Sequence, residues 1–227
     1  MSNDEENEID ARALSAVGPE RLATLLAEVA MTNPCMRCRL QFELSAPQGE
    51  NIAAALRQWM REFAAQTSFL DSEEVGEFAR ELDGMRIAVA SLVSRATPDL
   101  APDLMWQLFE LAGTVFERTI EEGWEVSCVF DEACSDLVKV SADAGVEPMV
   151  FATKVVTAII SEQYGEYRAL IPAIASAQLW APAYVSEVKA LLQRSLDEQL
   201  ALKGGSNSER SRDLQYALRE LASLSAA

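Results

Sequence analysis

Apolar positions along this chain recur at intervals of three and four, the rhythm of helices that bury one face. No stretch sustains the alternation of apolar and polar residues expected of a half-buried strand. In "GPERLATLLAEVAM" Leu22, Leu25, Leu26 and Val29 share a face, with Pro19 at the first helical position, where a missing N–H costs nothing. Asn33 and Pro34 restart the chain. The spacing then predicts helices over 34–44, 50–66 and 73–95, the last capped by Asp71 or Ser72 and ended by Thr97-Pro98. Leu104, Leu108, Leu111 and Val115 predict one continuous helix. Val126, Phe130, Ala133, Leu137, Val140 and Ala144 predict a longer one that Gly145 stops. Helices over 147–163, from Glu166, over 183–203 and over 213–224 follow.

The expected fold is therefore all-α, an irregular α-solenoid or layered bundle of about nine or ten antiparallel helices joined by short connections. The pattern predicts an acidic disordered tail over 1–10, a helical domain over 11–203, a linker-like turn over 204–210 and a C-terminal helix over 211–227 that packs on the domain. No fixed-period motif repeats, so an ankyrin or tetratricopeptide array is not supported.

Charge narrows the partners. Asp and Glu number 36 against 19 Lys and Arg, for a net charge of −17, and "MSNDEENEID" holds only five of those acids, so most of the excess lies in the body. A protein that tracks phosphates needs clustered cations, and four Lys are spread over the whole chain, so nucleic acid is not expected as a direct partner. The same charge opposes anionic lipid, and the N-terminus lacks the basic region and apolar run of a secretory signal; the chain reads as cytoplasmic. Residues 169–186, "ALIPAIASAQLWAPAYVS", approach the length of a membrane span without a charge, but Pro172, Pro182 and Gln178 make them two packed helix ends with a turn between.

The absence of histidine removes Ser-His-Asp and Cys-His catalysis and the Glu-x-x-His ligands of di-iron bundles. Cys35-x-x-Cys38 is the candidate redox pair: Asn33 capping and Pro34 starting a helix would put Cys35 in its first turn, beside Arg37 and Arg39, where a thiolate is favoured. A thioredoxin-like site needs a strand before the motif, and here a helix precedes it. Four Cys just suffice for zinc, but Cys128 and Cys134 stand about 120° apart around one helix and do not converge, so no metal or cofactor is expected. Ser186-x-x-Lys189 lacks a companion Lys-Thr-Gly motif. Gly204-Gly205 lacks the Lys-Ser or Lys-Thr of a phosphate loop. The acids Glu117, Glu121, Glu122, Glu125, Asp131, Glu132 and Asp136 read as a solvated face. Trp124, Tyr164, Tyr167, Trp180 and Tyr184 stand at predicted helix ends, where a ring either closes a helix pair or anchors a partner.

Three segments, "FLDSEEVGEFARELDGMRIAV" (69–89), "DLMWQLFELAGTVFERTIEEGWEVSCVFDEACSDL" (103–137) and "YGEYRALIPAIA" (164–175), resemble in order and spacing a bacterial all-helical family of unknown function (domain of unknown function 6880). The resemblance runs from about Gly18 to Leu224. It implies a helical fold and no assigned activity, cofactor or catalytic residue. It also implies that relatives continue with further helices, so this chain looks shortened. Relatives carry more Arg and Lys where this chain keeps Arg37, Arg39, Arg57 and Arg61, and they reserve no cysteine at 35 and 38.

The sequence therefore points to a non-catalytic protein–protein interaction or scaffold module whose partner is a protein, basic given the acidic exterior, or a second copy in a homodimer. Its rivals are a thiol-dependent enzyme at Cys35 and Cys38, and a nucleic-acid-associated factor with a compact patch of Arg37, Arg39, Arg57 and Arg61.

Overall fold

In the computed structural model of this protein the described residues are 11–32, 34–45, 50–119, 124–201 and 209–224. Among them every regular element is helical. The acidic tail lies outside them, as do residues 204–208 of the linker-like turn and the side chains of Cys35, Cys38 and Arg39. The chain forms two compact units, Met1–Pro47 and Gln48–Ala227.

The first unit contains α1 (Ala11–Ala16), α2 (Pro19–Thr32) and α3 (Pro34–Ser45). Gly18 adopts φ +88° between α1 and α2, a left-handed turn that a side chain would strain, and Pro19 then opens α2.

The second unit begins with α4 (Glu50–Ala64), whose Ile52, Leu56, Trp59, Met60 and Phe63 are all buried on one face. The stretch 66–71 leads to α5 (Ser72–Ile87), opened by a capping box in which Asp71 Oδ1 accepts the Glu74 N–H at 3.0 Å and Glu74 Oε2 accepts the Asp71 N–H at 3.1 Å. That stretch is tied down by Arg118, whose Nε donates to the Ser68 carbonyl at 2.8 Å and whose carbonyl accepts the Leu70 N–H. Phe63 and Phe78 stack at 4.4 Å between α4 and α5, and the Arg118 guanidinium lies 4.5 Å from the Phe78 centroid.

Sequence periodicity carries α5 smoothly to residue 95, but the backbone widens into a π-helical stretch over Ala88–Val93 before α6 (Ser94–Ala96). Hydroxyls of Ser91 and Ser94 bond the carbonyls of Ile87 and Ala90, an interaction that disturbs regular α-geometry. Thr97 then leaves the helix before Pro98. The predicted continuous helix through Leu104 and Val115 is likewise two: α7 (Ala101–Phe109) and α8 (Ala112–Phe116), separated where the Leu111 N–H turns back to the Leu108 carbonyl. Leu104, Leu108, Leu111 and Val115 are nonetheless all buried, because a tight three-residue turn preserves roughly the same face.

The longest apolar stripe belongs to α9 (Trp124–Asp143), with Val126, Phe130, Ala133, Leu137 and Val140 buried. Gly145 at φ +67° ends this segment, and Glu147 caps α10 (Pro148–Ser161) by accepting the Val150 N–H at 3.0 Å. The short helix expected from Glu166 begins later, as α11 (Leu170–Ser176). Then come α12 (Pro182–Ala201) and α13 (Glu209–Leu224), which packs against α10, α11 and α12 through Leu214, Ala217 and Leu221. The uncharged stretch 169–186 is α11, the turn after it and the start of α12; no helix of the described residues is long and apolar enough to cross a membrane.

Candidate functional site

Helices α5 and α9 pack side by side in the same direction. Near their starts, a Cβ built on Gly76 would stand 3.2 Å from Glu125 Oε2, and further along both helices Arg86 meets Glu132 at 2.6 Å and also Asp136. Parallel neighbours cannot be joined by a tight turn, which is why this pair departs from the antiparallel pattern of short connections: α7 and α8 intervene.

Between them lies an open cleft of about 630 Å³. Its α5 wall is the stripe Gly76, Ala79, Arg80 and Asp83; its α9 wall is Glu125, Cys128, Val129 and Glu132, with Trp124 at one end. Both stripes follow the i, i+3, i+4, i+7 spacing that puts residues on one helical face. The room comes from size: glycine and alanine on α5 face cysteine and valine on α9, where larger side chains would fill the gap. Three carboxylates and one guanidinium line it; two of the carboxylates, Asp83 and Glu132, also hold Arg86, whereas Glu125 at the Trp124 end does not. Trp124 is 70% exposed.

At the far end Arg86 closes the helix pair. Its guanidinium donates to Asp83 at 2.7 Å within α5 and reaches Glu132 and Asp136 on α9. Burial alone would lower its pKa, but the carboxylates outweigh that and hold it above the ordinary value. Outside the cleft, Arg168 pairs with Asp131, its Nε 2.8 Å from Oδ1, and its guanidinium carbon lies 5.9 Å from the Trp124 ring centroid. Asp131, Glu132 and Asp136, expected as part of a solvated face, are thus tied to cations of the body. Glu121 and Glu122 lie outside the described residues.

The other predicted aromatics do not converge on the cleft. Tyr164 stacks on Phe116 at 5.7 Å and donates to Glu117 at 2.9 Å. Tyr167 packs against Phe109 and Trp106, in a row that reaches Phe130 and Phe116; burial pushes its phenol up, and neighbouring Glu166 adds to this. Tyr184 is only 4% exposed: it stacks on Phe151 at 4.4 Å, and its hydroxyl lies 2.8 Å from the carbonyls of Ser141 and Val146, closing the corner between α9 and α10. Burial raises its pKa to about 12. Trp180 stays half-exposed beside the fully exposed Leu179, in the turn before α12.

Cys134 is buried, its thiol 3.7 Å from the Glu166 carbonyl, and burial pushes its pKa strongly up; Cys128 is half-buried on the cleft wall. Among the described residues no three Cys, Asp or Glu side chains are placed to hold a metal ion. Arg57 lies 3.7 Å from Asp103 and Arg61 bonds Gln58, so the two described arginines of α4 are already engaged. Gly76, Ala79 and Arg80 were not singled out from sequence, and Cys128 was weighed there only as a metal ligand. The signal available was two small residues three apart on an otherwise well-filled amphipathic helix.

No curated protein and no solved structure matches the chain. Residues 5–225, nearly its whole length, match the Family of unknown function (DUF6880), and the chain belongs to that family.

Proposed function

We propose that this protein is a non-catalytic interaction module whose cleft between α5 and α9 receives a basic segment of a partner protein. The observation that carries the reading is the cleft's lining: Trp124 stands exposed beside Glu125, with Asp83 and Glu132 further along the same groove. An exposed indole next to carboxylates attracts cations through both the ring quadrupole and charge, and such aromatic anchors dominate the energetics of interfaces. Enclosed, mostly apolar pockets suit small-molecule ligands; an open groove with four charged residues suits a polypeptide side chain better.

The test is affinity capture with two baits, the parent protein and a Cys128→Phe variant whose added ring occupies the groove, each verified as folded by circular dichroism. A basic protein retained by the parent and lost from the variant is the expected result. Identical recovery by the two baits rejects the cleft as the contact surface.

A further inference from the structure

The Arg86 cluster and the open cleft are one helix–helix arrangement seen at two successive levels. Moving seven residues toward the N-terminus on both parallel helices replaces Asp83 by Gly76, Arg86 by Ala79, Glu132 by Glu125 and Asp136 by Val129. Seven residues are nearly two helical turns, so the two sets face the groove alike to within about 20°.

At the upper level the protein's own guanidinium bridges the helices, reaching carboxylates on both. At the lower level an acceptor remains in Glu125, but the position that supplied the guanidinium is a methyl group, next to a glycine. Arg80, the one guanidinium of the lining, follows Ala79 in α5 and does not occupy the position equivalent to Arg86. Trp124 stands at that level, and the fold already sets a guanidinium on this indole, since Arg168 lies over it while gripping Asp131. Arg168 is not among the residues that line the cleft, whereas Trp124 is, and Trp124 is 70% exposed.

We propose that the cleft is an arginine receptor: a partner's arginine enters at the level of Ala79, stacks its guanidinium on Trp124 and donates to Glu125, repeating from outside the contact that Arg86 makes from within. This rests on the basic-segment reading above and narrows it from positive charge to guanidinium. Arginine is favoured over lysine because a planar, weakly hydrated fork stacks on a ring and bonds a carboxylate at once, whereas a compact ammonium ion is strongly hydrated.

The probes are nine-residue peptides alternating serine with arginine, with lysine or with citrulline, plus a serine–glutamate control. The protein is a Cys35→Ser/Cys38→Ser chain, in which Cys128 on the cleft wall serves as reporter. Binding is read by fluorescence polarisation at physiological salt, and occupancy by the slowing of Cys128 alkylation. The arginine peptide should bind roughly tenfold tighter than the lysine peptide and protect Cys128. Citrulline and glutamate peptides should do neither. Trp124→Ala and Glu125→Gln should each abolish the preference for arginine.

Equal affinity and equal protection by arginine and lysine peptides would overturn guanidinium selection while leaving the basic-segment reading intact. Failure of both to protect Cys128, or equal protection by the glutamate peptide, would overturn both. Tight arginine binding that ignores Trp124→Ala and leaves Cys128 unprotected places the contact elsewhere on the acidic surface and also overturns the proposal.

Discussion

Replacing Arg86 by Met keeps most of the side chain's packing and deletes its charge, which isolates the work of the guanidinium in bracing α5 against α9. The Arg86 side chain is 12% exposed, whereas its partners Asp83, Glu132 and Asp136 are 34%, 64% and 24% exposed. An exposed ion pair contributes about 0.2–1 kcal/mol, and deleting one member of a buried pair costs about 3–5 kcal/mol because the other is left uncompensated. The cluster lies between these limits: the cation is enclosed, but its acceptors partly reach water. We expect Arg86→Met to lose about 2–3 kcal/mol, the remaining carboxylates repelling one another across the helix pair. Urea unfolding should show the loss as a lower midpoint with an unchanged slope. Most of it should persist in concentrated salt, which reaches an enclosed cation poorly. Arg86→Lys should recover less than half, since one ammonium cannot serve carboxylates on two helices. A Met variant within ~0.5 kcal/mol of the parent, as expected for an exposed pair, would refute the brace.

Other substitutions probe separate parts of the fold. Tyr184→Phe should cost ~1 kcal/mol near neutral pH by removing the donor to the Ser141 and Val146 carbonyls. The folded state holds the Tyr184 proton up to about pH 12 while an unfolded tyrosine releases it near 10, so the parent loses stability as pH rises through that window. The gap between parent and variant must therefore narrow in alkaline denaturation series, and a constant gap counts against the argument. In a Cys35→Ser/Cys38→Ser chain, Cys128 should react with a disulfide reagent in native buffer and Cys134 only after unfolding; simultaneous reaction of both would contradict the burial of Cys134. Gly76→Ala and Gly84→Ala should differ in sign. At Gly76 the new methyl meets only the movable end of Glu125 and the helix gains ~0.5–1 kcal/mol, whereas at Gly84 it meets the Trp59 ring at 3.3 Å. That ring is buried and fixed by its 2.8 Å hydrogen bond to Glu81, so overpacking costs ~1 kcal/mol or more, and equal melting temperatures for the two variants would dismiss the distinction.

Helix identity was readable because it depends on spacing alone. The stripe from Val126 to Val140 is buried as its rhythm required, and Gly145 and Glu147 punctuate α9 and α10 through backbone conformation and capping, both local effects. The π-helical stretch over Ala88–Val93 and the break after Phe109 were not readable, since the apolar spacing runs through both and the serine hydroxyls that bond back to the Ile87 and Ala90 carbonyls are as common in regular helices. Trp124 could be noticed as a ring at a helix start, but its cleft could not. That needs the knowledge that α5 and α9 are neighbours and parallel, a fact carried by no local segment. The same gap hid the acids: Glu132 and Asp136 look like solvent-facing residues until Arg86, far away in sequence, is placed against them.

The parallel pairing of α5 with α9 has a kinetic consequence. Arg86 and Asp136 are 50 positions apart, and the backbone between them must travel back along the molecule before α9 can lie beside α5. Closing so long a loop costs entropy before any contact returns it, so the groove cannot nucleate early or exist in an excised segment carrying either helix alone. Its presence reports completed chain closure, and damage to the crossover through α7 and α8 should dissolve it together with the surrounding fold.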